Sequence, residues 1–310
     1  MDLPPLPPAG DVYAALKQTV IPAAGVAALV YAVFLSLGRW AGAVGSAAAV
    51  LGGLAYANWI ESRLPWNPDS TKSVRIAWEW LPRSALLLVV VGLLSRWIGL
   101  VLGRTVASGP RWWLGNLGVW LPRLCATIAV AFWLVPDRLR EPEAWLLPAF
   151  ASAVFLEWII LDGLARRGQG ARVSFYQAAM FFAASAVILY SHSARFMDVS
   201  TMAGAAFFAI AVVGSVSRQA DSSGAVPAGV GLLPGLILST KAGTESQVPP
   251  LACYLVALAP LVLAPWLIPA LARRSGPVTQ IGRWILVLIP LAIAAVLAGR
   301  AESLPWEAEW

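Results

Sequence analysis

Apolar runs of some twenty residues follow one another along this chain, separated by short polar gaps. They cover Thr19–Gly38, Ala41–Ile60, Ser84–Gly103, Trp120–Pro136, Ala144–Gly163, Phe175–Ser193, Ser200–Ser217, Leu251–Ala272 and Ile281–Gly299. Roughly 20 apolar residues in helical form cross a hydrocarbon layer of ~30 Å, so each run predicts a membrane-spanning α-helix. A further run, Gly224–Thr240, contains Pro227, Pro234 and four glycines. It reads as a tenth span, a re-entrant hairpin or an apolar loop. The expected fold is an all-α integral membrane bundle of about ten helices (range 8–10) without a sizeable soluble domain. Residues 1–18 form a short proline-rich arm, 19–299 the membrane domain and 300–310 a short acidic tail. The arm lacks the basic n-region of a cleaved signal peptide, so the first span is expected to stay in the mature protein.

Composition supports lipid as the solvent. Hydrophobic residues make up 59% of the 310 positions and charged ones 12%, about half the charged share of a soluble domain. Mean hydropathy is +0.73. A chain this apolar cannot hide its surface inside itself, which excludes a soluble enzyme, a disordered hub and a nucleic-acid reader. The net charge of +6 therefore belongs to loops at a membrane surface.

Ten spans also segregate the charge. One face holds the N-terminus, residues 61–83, 137–143, 194–199, 241–250 and the C-terminus, with ten Lys/Arg and thirteen Asp/Glu. The opposite face holds twelve Lys/Arg and three Asp/Glu, and with nine spans this contrast disappears. The positive-inside rule counts Lys and Arg, so the face with twelve is expected to be cytoplasmic, with both termini outside.

Scarce residues exclude several chemistries. With one histidine, His192, and two distant cysteines, Cys125 and Cys253, the chain cannot assemble a zinc site of three or four converging ligands or a bis-histidine haem. There is no CxxC and no Walker-type phosphate loop. Cofactors are expected to be none, and so are metals and catalytic residues. Cys125 and His192 fall near opposite faces, out of reach for a nucleophile–base pair. Asp162-Gly163-Leu164-Ala165-Arg166 falls short of the CDP-alcohol phosphotransferase pattern in its spacing and in the missing downstream aspartates.

Packing signals are clearer. Many of the sixteen tryptophans, among them Trp120, Trp133 and Trp145, lie at span ends, where an indole sits at headgroup level. Trp80-Leu81-Pro82-Arg83 and Trp120-Leu121-Pro122-Arg123 each open an apolar run, Pro suiting a first helical turn and Arg snorkelling to the headgroups. Gly45, Ala49, Gly53 and Ala57 form a small-residue stripe that admits another helix, within the chain or from another one. Pro260, Pro265 and Pro269 predict a kinked ninth helix of the kind that lines transport sites.

Two charges interrupt the spans at similar depth: Arg96 in the third and Glu157 in the fifth. An isolated charge at mid-bilayer costs at least ~2.5–3.5 kcal/mol, so the two are expected to pair. The pair is either structural or a carboxylate that loads a proton or a cationic solute, tuned by the arginine. Arg166, Arg167 and Arg172 form a basic loop suited to anionic lipid headgroups. Three functions stay open: a transporter or permease for a small or hydrophobic solute, a non-catalytic subunit or scaffold docking a second copy or a complex partner, and an enzyme on a lipid-linked substrate. No nucleic-acid partner is expected.

Overall fold

The computed structural model describes residues 16–38, 41–60, 77–106, 112–135, 144–191, 193–217, 221–243, 247–268, 271 and 276–301. The proline-rich arm up to residue 15, Pro269, His192 and most of the acidic tail lie outside them. The described residues are almost all helical, with no strand among them. We number the helices α1 Ile21–Ser36, α2 Ala41–Ile60, α3 Ala77–Val106, α4 Trp112–Leu134, α5 Leu146–Leu164 and α6 Gly170–Tyr190. They continue with α7 Ala194–Val216, α8 Val226–Gly243, α9 Pro250–Ala257, a 3₁₀ segment Ala259–Leu267, and α10 Pro277–Ala301.

Among the described residues seven helical runs are long and apolar enough to cross a membrane. That is fewer than the ten expected from hydropathy, for two reasons. Leu146–Tyr190 is one continuous run of 45 residues, and Ala41–Tyr56 and Val226–Ala242 are shorter apolar helices. The long run bends between α5 and α6, where Arg167 leaves helical geometry and Gly168 takes φ 77°. A left-handed residue of this kind is cheap only for glycine. Gly38, at φ 107°, ends α1 in the same way: its N–H and that of Leu37 bond back to Leu35 and Phe34, closing carbonyls that the helix end would otherwise orphan.

The segment with the weakest hydropathy lies deepest. Every residue from 222 to 240 is buried, and α8 packs against each helix from α2 to α7 and against α9. Its glycines are the approach points. A Cβ at Gly235 would sit 2.7 Å from Leu134 and 2.8 Å from Leu81, one at Gly231 would strike Leu88, and one at Gly229 would strike Gln177. Just before the helix, Gly224 lies against the backbone of Ala43. Pro227 falls in the first turn, where its missing N–H costs nothing. Around this axis α1 and α2 pair and lean on α7, α3 and α4 pair, and α10 packs on α6, α9 and the 3₁₀ segment.

The outward faces are apolar as lipid requires: Leu29 and Val33 on α1, Leu94 and Trp97 on α3, and Ile285 and Ile289 on α10 are exposed. The start of α4 differs from expectation. Pro82 and Pro122 lie inside their helices rather than in the first turn, because both helices begin well before them.

Candidate functional site

Arg96 and Glu157 do not pair. Arg96, two-thirds of the way along α3, donates to the Asp221 carboxylate and the Ser223 hydroxyl in the turn before α8. The same carboxylate accepts the Ser223 N–H at 3.0 Å. Burial would raise the Asp221 carboxyl, but the hydrogen bond and charge of Arg96, with the Ser223 hydroxyl and N–H, outweigh it and hold it below the ordinary range. Glu157 is 0% exposed, and neither carboxylate oxygen has a hydrogen-bond partner. Equal depth along two helices fixes no azimuth; a residue 100° around the helix from Glu157 meets different neighbours.

The residue after it, Trp158, faces a second and more buried ion pair. Arg123 of α4 is 1% exposed. Its Nη1 donates to Asp162 Oδ2 at 2.7 Å and its Nε to Ser95 Oγ at 2.9 Å. The guanidinium lies 5.0 Å from the ring centres of both Trp120 and Trp158, within cation–π range. Arg166, one turn after Asp162, reaches the same Oδ2 at 3.0 Å. So Arg123 does not snorkel to headgroups; it is locked between two indoles. Ser95 and Arg96 are neighbours on α3, so one turn of that helix holds both networks: Arg96 with the α8 turn, and Ser95 with α4 and α5.

This polar belt continues round the same end of the bundle. Arg167 donates to the carbonyl oxygens of Trp266 and Leu267 at 3.1 and 2.9 Å. Those carbonyls lie at the end of the 3₁₀ segment, where Pro260 and Pro265 have broken the ninth helix after Ala257. An arginine of the α5–α6 bend thus occupies the last acceptors of this segment. Arg283 of α10 donates to Gln169 Oε1 at 2.7 Å, and Gln280 donates to the Tyr176 hydroxyl at 3.0 Å.

The small-residue stripe of α2 is used inside the chain. A Cβ at Gly45 would strike Phe34 of α1, and one at Gly53 would lie 2.7 Å from the Ala23 carbonyl and 3.4 Å from Ala206 of α7. Ala49 is buried, and the side chain of Ala57 lies outside the described residues. Of the basic loop, Arg166 and Arg167 are engaged as above and Arg172 is exposed. Cys253 is buried and Cys125 exposed, both free. No group of three His, Cys, Asp or Glu suited to a metal occurs among the described residues.

Sequence reasoning therefore found Arg96 and Glu157 but missed Arg123, Asp162, Asp221 and Ser223. A signal existed. In the ten-span reading the basic face carries only three acids, Glu157, Asp162 and Asp221, and acids so outnumbered are the ones arginines will claim. Two of the three are claimed and Glu157 is left over. No family model, no curated protein and no solved structure matches the chain.

Proposed function

We propose that this chain is a ten-span permease for a small or hydrophobic solute, with Glu157 as the group that loads and releases a proton or holds a cationic solute. The observation that carries this reading is the fully buried Glu157 carboxyl with no hydrogen-bond partner, on a helix packed against the central α8. A carboxylate in such surroundings has an unmet need for a proton or a cation, and an intramembrane acid is by default a candidate for an ion or proton path. Among the described residues, Arg96 and Arg123 are already engaged, in ion pairs with Asp221 and Asp162. The break in α9 and the glycine-lined α8 supply the irregular elements from which transport sites are built.

In this reading α5 and α6 cross separately on either side of their bend, and α2, α8 and α9 with its 3₁₀ extension complete ten crossings. The face carrying the polar belt is cytoplasmic and both termini are outside, following its excess of Lys and Arg. The subunit reading drew on the α2 stripe and the tryptophan belts; α1 and α7 occupy the stripe, so the permease ranks first.

The test is reconstitution into liposomes, with proton and solute flux followed under imposed pH and voltage gradients across a panel of small cationic and hydrophobic solutes. Wild type should carry at least one solute, and Glu157→Gln, folded and equally inserted, should not. Unchanged flux in Glu157→Gln sinks the role of the carboxyl. Absence of any flux, together with a stoichiometric partner released from native membranes, would make the chain a subunit instead.

A further inference from the structure

The charge count of the basic face does not close around Arg283. Its side chain is nearly enclosed, at 2% exposure, yet Nε and Nη2 have no hydrogen-bond partner. The one acceptor it does have, Gln169 Oε1, is neutral. Beside it stand the Trp266 ring, 5.5 Å from the guanidinium, and Tyr176, whose hydroxyl already accepts from Gln280. Among the described residues no carboxylate acts on it: the Tyr176 hydroxyl favours its charged form, and the positive charge of Arg172 opposes it. The three acids of this face cannot help. Asp162 is held by Arg123 and Arg166, Asp221 by Arg96, and Glu157 stands alone. A buried guanidinium without a counter-charge is among the costliest arrangements a protein can hold, and the positive charge of Arg172 adds to that cost.

We propose that Arg283 and Arg172 form a binding site for a phosphate group, with Gln169 holding Arg283 in place. A guanidinium offers parallel N–H donors matched to phosphate oxygens, and two cations suit the charge of a phosphate diester or monoester. The location favours a phospholipid headgroup. Arg283 lies near the start of α10, whose exposed Ile281, Ile285 and Leu288 face outward along the acyl layer, and basic clusters at that level hold anionic lipids. Nε and Nη2 are covered by neighbouring side chains, so a phosphate oxygen reaches them by displacing one of these. Arg172 is exposed and reaches the same phosphate from the α6 side. The site is separate from Glu157 and does not depend on the permease reading. It also moves the expected headgroup contact away from Arg166 and Arg167, which are committed to internal partners.

The experiment uses the full chain in nanodiscs of phosphatidylcholine, with and without phosphatidylglycerol, and a further phosphatidylcholine sample titrated with inorganic phosphate. Retained lipid is read by native mass spectrometry and stability by thermal unfolding. Wild type should retain phosphatidylglycerol and unfold at a higher temperature with it. R283Q and R172Q should each weaken retention roughly tenfold, the effect of losing charge-assisted hydrogen bonds, while R166Q retains it. R172Q changes an exposed residue and keeps the test open if R283Q does not fold. Equal stabilisation of wild type by inorganic phosphate, lost in R172Q, would keep the phosphate site and assign it to a soluble ligand. Overturning results are a wild type that neither discriminates the two lipids nor responds to phosphate, or an R172Q that retains phosphatidylglycerol as wild type does.

Discussion

The Arg123–Asp162 pair offers the sharpest energetic test. Asp162 is 4% exposed and Arg123 1%, so neither can turn to water when the other is removed. Asp162→Asn leaves Arg123 enclosed by Trp120 and Trp158 with no counter-ion, and breaking a buried pair from one side costs about 3–5 kcal/mol. Arg123→Met is milder for the acid, because Arg166 still stands 3.0 Å from Oδ2. It forfeits two cation–π contacts at about 0.5–2 kcal/mol each and one hydrogen bond to Ser95 worth about 1 kcal/mol, for a total near 3 kcal/mol. The double variant Arg123→Met/Asp162→Asn removes both charges together and should cost no more than the milder single, since an apolar replacement of a buried pair is often neutral. The cycle then gives a coupling of at least about 3–5 kcal/mol, well above the ~0.6 kcal/mol average for hydrogen bonds between membrane helices. Equilibrium unfolding of the reconstituted protein in mixed detergent micelles, titrated with a denaturing detergent, measures all four corners. Singles that cost under about 1 kcal/mol, as an exposed surface pair would, or costs that simply add, would refute the argument that these charges are enclosed and interdependent.

Other outcomes follow from the same geometry. Glu157→Leu loses no hydrogen bond and removes a buried polar group, so unfolding should show equal or higher stability, by up to about 1–3 kcal/mol, while flux is lost. Gly224→Ala places a methyl against the Ala43 backbone, which no rotamer can relieve, and should cost about 1–3 kcal/mol or more; Gly282→Ala, with nothing within 4 Å, should be neutral or stabilising by under ~1 kcal/mol. The Asp221 carboxyl, held below its unfolded value of about 3.9, contributes stability that is present above that pH and lost as pH falls through the folded value. Asp221→Asn should therefore flatten the acid limb of a stability–pH profile between pH 2 and pH 5, roughly the range bracketing that value, and leave its slope near neutrality unchanged. Arg167→Ala uncaps the Trp266 and Leu267 carbonyls, and hydrogen exchange in residues 258–268 should quicken by roughly tenfold for a loss near 1.4 kcal/mol.

Hydropathy located the apolar segments well, because lipid imposes one length on every crossing. It left α8 open between a span, a hairpin and a loop, and the reason lies in its glycines. Gly229, Gly231 and Gly235 look like helix breakers in one dimension, and in three they are the places where Gln177, Leu88 and Leu134 come closest. A helix enclosed by other helices needs small residues more than it needs apolar ones. The pairing of Arg96 with Glu157 failed on the same missing dimension. Depth can be read from residue number, but rotation about the helix axis cannot when every face is apolar and no polar side marks the outside. Asp221 escaped notice because it sits in a turn, where charge looks ordinary. Arg123 escaped because arginine after a Trp-Leu-Pro start fits the pattern of a headgroup anchor. Charge balance within one face was the usable clue, since twelve cations and three acids leave little choice of partner.

The enclosure of α8 also sets the order of events during synthesis. Seven helices leave the ribosome before their common axle exists, and all but α1 carry surface destined for it. Until residues 222–240 arrive, Leu81, Leu88 and Leu134 border a slot that lipid or a chaperone must fill. A chain cut after residue 217 thus loses its centre rather than an edge. Residues 222–240, made after seven helices, supply the centre on which six of those helices close.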